Sequence, residues 1–180
     1  REKLGAGELK KRLNDMNDIG KGPAEKFADA LQRGNLDKAV EELNKLREKI
    51  EKGELTEEEK KALGDQLSKM SEKLQEMVEK QKEREKALEE QIKQQRAAGN
   101  NQQADQLEQQ LQKLRNQQQQ QQQMQQLADQ MAQCAQCMQQ GQAQNAADAL
   151  SAMAGDLSQM QAEMDELEML DDIMDQIADA

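Results

Sequence analysis

Two cysteines carry the one motif with chemical potential in this chain, Cys134-Ala135-Gln136-Cys137. Three chemistries use a C-x-x-C spacing. A redox pair of the thioredoxin kind needs a helix N-terminus to lower a thiol pKa, within a strand–helix–strand setting. The pair here falls late in a helical stretch, and no strand pattern accompanies it. A metal site would take two thiolates from the pair, half of a tetrahedral zinc shell, and the chain has no His to supply the rest. A disulfide, within or between chains, is the third option. Against all three stands a plainer use, the cysteine as a small buried hydrophobe.

Nothing else converges on a reaction. There is no Gly-rich phosphate loop and no imidazole to act as base or ligand. The acid pair Asp171-Asp172 sits among other acids on a helical stretch and reads as solvated surface. No catalytic or cofactor-binding residue is assigned, no cofactor is expected, and the chain reads as a non-enzyme. No metal is assigned either; Cys134 and Cys137 are the sole candidate ligands.

The elements that position the pair are announced by a seven-residue beat. Met124, Met131 and Met138 are seven apart, as are Met153, Met160, Leu167 and Met174, and Leu67, Leu74, Gln81 and Leu88. Apolar residues at that spacing make a seam along a helix that must be covered by another helix. The chain is rich in Ala, Glu, Lys, Leu and Gln, all good helix formers, and its one aromatic residue is Phe27. Such a composition fills a thin seam between long helices better than a thick core.

Breakers divide the chain. A short helix over Leu9 to Ile19 ends at Gly20-Lys21-Gly22-Pro23, and Pro23 suits the first turn of the next. That helix carries Phe27, Ala28, Ala30 and Leu31 and stops at Gly34-Asn35. Another holds Leu36, Ala39, Val40, Leu43, Leu46 and Ile50 and ends at Gly53. Thr56-Glu57-Glu58-Glu59 is a capping box. It opens a long helix whose seam is predicted at Leu63, Leu67, Met70, Leu74, Met77, Gln81, Arg84 and Leu88, with Gln81 and Arg84 weakening its middle. Ala97 to Asn101 is the next strong break. A second long helix is predicted from about Gln102 to Gln140 and a third from about Asn145 to Ala178, with Gly141 between them.

The middle long helix is glutamine-rich: residues 102–144 hold 22 Gln, seven of them consecutive from Gln117 to Gln123. Leucines before the tract and Met124, Leu127 and Met131 after it predict one continuous helix with a polar seam at about Gln118 and Gln121. The register slips there, since continued four-three spacing from Leu114 calls for an apolar residue at 125 and Met124 supplies it. That is the signature of a stammer, which overwinds a coiled coil.

An internal repeat appears when Gly34 is set opposite Gly141. Ala28 then matches Ala135, Leu31 matches Met138, Ala39 matches Ala146, Leu43 matches Leu150, Leu46 matches Met153 and Ile50 matches Leu157. Phe27 and Ala30 fall opposite Cys134 and Cys137, which predicts that both cysteines face a core.

The fold class that follows is all-α: an elongated antiparallel bundle whose long helices run up, down and up. It divides into an N-terminal helical region with a short hairpin, residues 1–55, and a long three-helix bundle, residues 56–180. Three resemblances attach to particular residues. The unit from Phe27 to Leu46 resembles a single tetratricopeptide-type hairpin, without that family's aromatic and Pro signatures or its adjacent copies. The long part resembles a spectrin-like three-helix rod. Cys134 and Cys137, close to the Gly141 bend, are similar to the zinc hook, where C-x-x-C pairs at the ends of helical hairpins join two molecules, although no Pro lies between them. That resemblance implies a zinc shared between two chains.

Charge limits the partners. The net charge is −11, and all 25 Lys and Arg lie at or before Arg115, so the 11 acids from Asp129 to Asp179 have no basic neighbour in sequence. Phosphate binding needs Lys and Arg, so nucleic acid is not an expected partner of that third. No apolar run approaches the ~20 residues needed to span a bilayer. The chain opens at Arg1 rather than Met, as a piece of a longer protein would, and no signal peptide is visible. Two cysteines leave the compartment open. The expected role is a structural scaffold, spacer or self-association module, with a protein partner or a homodimer. A different class is a dimeric membrane-curvature module similar in outline to BAR dimers. The lysines it would need, from Lys60 to Lys86, alternate with Glu and read as ion-paired surface.

Overall fold

The computed structural model describes residues 19–179, without the side chains of Leu167, Glu168, Leu170, Asp171 and Asp179. The short helix predicted over Leu9 to Ile19 lies outside the described residues except for Ile19, which is buried. Six α-helices and no strand are found among the described residues: α1 Glu25–Gln32, α2 Leu36–Glu51, α3 Glu57–Ala97, α4 Asn101–Asn116, α5 Gln118–Gln139 and α6 Ala143–Asp179. The protein is an all-α bundle built on long helices.

Each boundary has a local cause. The Glu59 amide donates to Thr56 Oγ1 and the Thr56 amide to Glu59 Oε1, both at 3.1 Å, completing the capping box that starts α3. Asn35 caps α2 by accepting from the Lys38 amide at 3.1 Å. Gly34 and Gly141 both sit at φ +71, and each closes a Schellman turn. The Asn35 amide reaches the Ala30 carbonyl at 2.9 Å, and the Gln142 amide reaches the Cys137 carbonyl at 2.9 Å. The two repeat units therefore share a turn atom for atom.

Packing follows the chain in hairpins. α3 packs on α4 and α5, α5 on α6, α6 on α2, and α2 on α1. A three-helix rod would place α3, α5 and α6 in mutual contact. Here α2 covers the inner half of α6 instead, so the two repeat units meet through their second helices. α1 and the loop before it are fastened to α3 by Gln66. Its Oε1 accepts from the Ala24 amide at 2.8 Å and its Nε2 donates to the Gly20 carbonyl at 3.0 Å. One continuous core runs through α1, α2, α5, the first half of α3 and the first half of α6, from Phe27 and Leu31 to Met131 and Met160.

Beyond that core α3 continues with α4 alone. With 41 residues α3 spans ~62 Å, and its last four turns form with α4 a two-helix arm closed at Gly99. The arm has little apolar glue: Ile92 on α3, and Ala104, Leu111 and Leu114 on α4, are buried. Arg96 bridges Asp105 at 3.1 Å and Glu108 at 2.8 Å, and Arg115 pairs with Glu89 at 2.9 Å. These pairs are solvent-exposed, and each contributes little.

Two sequence expectations are corrected here. The Gln-rich helix is interrupted by a single residue, Gln117, whose amide bonds the Leu114 carbonyl three residues back at 3.1 Å. That tight turn is the overwinding the register slip called for, concentrated in one residue. Of the two glutamines predicted for the polar seam, one is in place. Gln121 is buried but Gln118 is exposed, and Glu85, half-buried, takes the seam position expected of the exposed Arg84.

Candidate functional site

The C-x-x-C pair lies in the last two turns of α5, beside the bend to α6. Cys134 is 0% exposed and Cys137 8%, both as free thiols. Cys134 Sγ donates to the Ala146 carbonyl of α6 at 3.5 Å. Across from the pair α3 presents Gly64, where a Cβ would stand 3.7 Å from the Ala135 carbonyl oxygen and 3.7 Å from Met138 Cβ. Those are ordinary contact distances, so α5 and α3 lie side by side at the level of the cysteines with room for a methyl group.

Electrostatics there work against a thiolate. Burial, and then the neighbouring Cys137, push the Cys134 thiol from 9.0 up to about 12. The C-terminal end of α5 adds the negative pole of the helix dipole, the reverse of the arrangement that activates redox thiols. A hook-like metal site needs its thiolates at a solvent-facing helix end, whereas these point into the chain's own core. Among the described residues, no group of three or more Cys, Asp or Glu side chains is placed to hold a metal ion. What the arrangement does is pack: Cys134 fills in the second repeat the place that Phe27 fills in the first, both fully buried.

A second polar constellation joins the seam residues Gln81 and Gln121 with Ser71. Down the α3–α5 interface, side chains donate to carbonyls of the facing helix: Ser71 Oγ to Ala128 at 2.7 Å and Gln121 Nε2 to Val78 at 3.3 Å. Just above them Gln81 Nε2 donates to the Leu114 carbonyl of α4 at 3.4 Å. Gln81 Oε1 finds no partner. These bonds fix the register of α5 and α4 on α3. Ser71 gave no sequence signal, because a Ser among exposed Ser, Gln and Lys looks like surface.

The lysine row of α3 is ion-paired in part, Lys60 with Glu57 at 3.2 Å and Lys82 with Glu79 at 3.9 Å. No helix among the described residues is long and apolar enough to cross a membrane. Compared with protein-family models, curated proteins and solved structures, the chain matches none. Fold and site together define the class, an all-α helical bundle with a projecting hairpin, and function has to be argued from that architecture.

Proposed function

We propose that this chain is a non-enzymatic helical scaffold, a spacer or self-association module whose bundle anchors a stiff two-helix arm. The observation that carries this reading is α3, one unbroken helix of 41 residues whose first half is core and whose second half has α4 as its sole extensive partner. A helix that leaves its bundle for about four turns gains little stability by doing so. Reach is what such an arm supplies. Supporting this are a C-x-x-C pair used for packing and polar residues used for register. The clustered acids disfavour nucleic acid as partner.

Small-angle scattering with light scattering tests the proposal. A compact fold of this length has a radius of gyration of ~16 Å. The scaffold reading expects a clearly larger value together with a mass of one or two chains, unchanged by chelator. A compact particle would overturn the spacer. A dimer that separates only on adding chelator would move the function to a metal shared through Cys134 and Cys137.

A further inference from the structure

The outer half of α6 carries a surface the scaffold reading leaves unused. The inner half buries Ala146, Leu150, Met153, Leu157 and Met160 against α2 and α5. α2 has 16 residues, so it can cover only ~24 Å of a helix ~56 Å long. Toward the outer half, Gln123 Nε2 of α5 donates to Glu163 Oε2 at 2.6 Å. Beyond it the chain continues into α4, which packs on α3 and not appreciably on α6.

Along this stretch Met169 is 63% exposed, Ile173 48% and Ile177 71%. Their spacing of four places them on one stripe. Among the described residues, the large hydrophobics with this degree of exposure all lie between positions 169 and 177. The same stretch is uniformly acidic, with eight Asp and Glu from Glu163 to Asp179 and no Lys or Arg after Arg115. An apolar stripe with exposed charges of one sign beside it, Asp165, Glu166 and Asp172 among the described residues, marks an interaction surface rather than ordinary exterior.

We infer that the outer half of α6 docks a cationic amphipathic helix from a protein partner. Charge selects the occupant. A second copy using the same stripe would bring two sets of eight acids together, and like charges along a helix pair are destabilising. An anionic lipid surface is repelled for the same reason. A helix with one apolar face and flanking Lys or Arg satisfies both halves of the surface: its apolar face covers Met169, Ile173 and Ile177, and its cations meet the rim. The inference builds on the scaffold reading by naming what the scaffold would carry, but it stands on α6 alone and is tested without reference to the arm.

The test is calorimetric titration of the full chain with a synthetic amphipathic helix of about 18 residues, five turns long, Leu on one face and Lys on the other. The control peptide has Glu in place of Lys. The expected result is one peptide bound per chain, at least about 100-fold tighter for the Lys peptide than for the Glu peptide, and weakened by salt. Ile173→Asn with Ile177→Asn keeps the charge and should lower that affinity by about tenfold or more, since both side chains are exposed and the fold does not rest on them. Equal binding of the two peptides, no binding, or an affinity untouched by the double variant would each overturn the inference. So would a concentration-dependent dimer abolished by the double variant, which would assign the stripe to a second copy. Lys10, Lys11 and Arg12 are three consecutive bases in the sequence; their triple charge reversal (each →Glu), if it strengthens peptide binding, would assign the stripe to that segment of the same chain and overturn a partner in trans.

Discussion

At the scale of single residues, Cys134 is where chemistry and packing part company. Its thiol is buried beside Cys137 and raised to about 12, so the folded state holds it neutral where an unfolded chain would ionise it. Stability from this thiol is fully present below pH 9 and is lost as the pH climbs from 9.0 toward 12. Between about pH 8 and about pH 10.5 the loss should be roughly 2 kcal/mol. The check is denaturant unfolding of the parent chain and of Cys134→Ala across that range. The variant should start lower, by ~1 kcal/mol for a small cavity, and fall less steeply. Parallel curves would show that Cys134 ionisation is not linked to unfolding. The position of this residue was legible in the sequence because the repeat aligned it with Phe27. Its hydrogen bond to Ala146 was not, because nothing local reports which carbonyl of a neighbouring helix will face a thiol.

At the scale of elements, glycines sort into two kinds, those at the breaks and those inside helices. Gly141 sits at φ +71 in open space, so Gly141→Ala forces a left-handed conformation and should cost ~1 kcal/mol of stability. Gly155 lies inside α6 with nothing within 4 Å of an added Cβ. Gly155→Ala should therefore stabilise by up to ~1 kcal/mol through helix propensity. Gly64→Ala should also be tolerated, because its Cβ would meet Ala135 and Met138 at 3.7 Å, ordinary contact distance. Thermal melts of the three variants decide this, and destabilisation by Gly155→Ala would contradict the helical geometry there. Hydrogen exchange tests the break at Gln117: amides around Gln117 should exchange well before those of Leu107 to Leu114 or Met124 to Met138. Uniform protection would mean an unbroken helix. Helix ends were readable because caps and Gly turns are local physics. The exposure of Gln118, beside the correctly placed Gln121, was not, since in seven identical Gln residues a one-step shift of register leaves no mark. Nor was the partner of α6, a choice made between elements far apart in sequence. The exposed outer stripe escaped notice for a related reason. Met153, Met160, Leu167 and Met174 keep an even beat in the sequence, yet Met153 and Met160 are buried while Met174 is 49% exposed.

At the scale of the whole molecule, stability is unevenly shared. The bundle concentrates Phe27, Leu31, Leu43, Leu67, Met124 and Leu150 in one core, whereas the arm depends on a few apolar contacts and exposed ion pairs. Mild denaturant or heat should therefore loosen the arm before the bundle. Cysteine pairs introduced for labelling across Glu90 and Gln112, and across Lys69 and Asp129, would follow the two parts separately. Coincident transitions would show a single cooperative unit. The arm and bundle join at the level of Gln81, Gln117 and Gln121, where amides replace hydrocarbon and the acceptor oxygens of Gln81 and Gln120 go unmet. A pull applied at the Gly99 tip against the bundle should draw out the sparsely packed arm first, releasing slack at low force. It should meet the continuous core only past the glutamines, so the molecule would extend with two compliances in series.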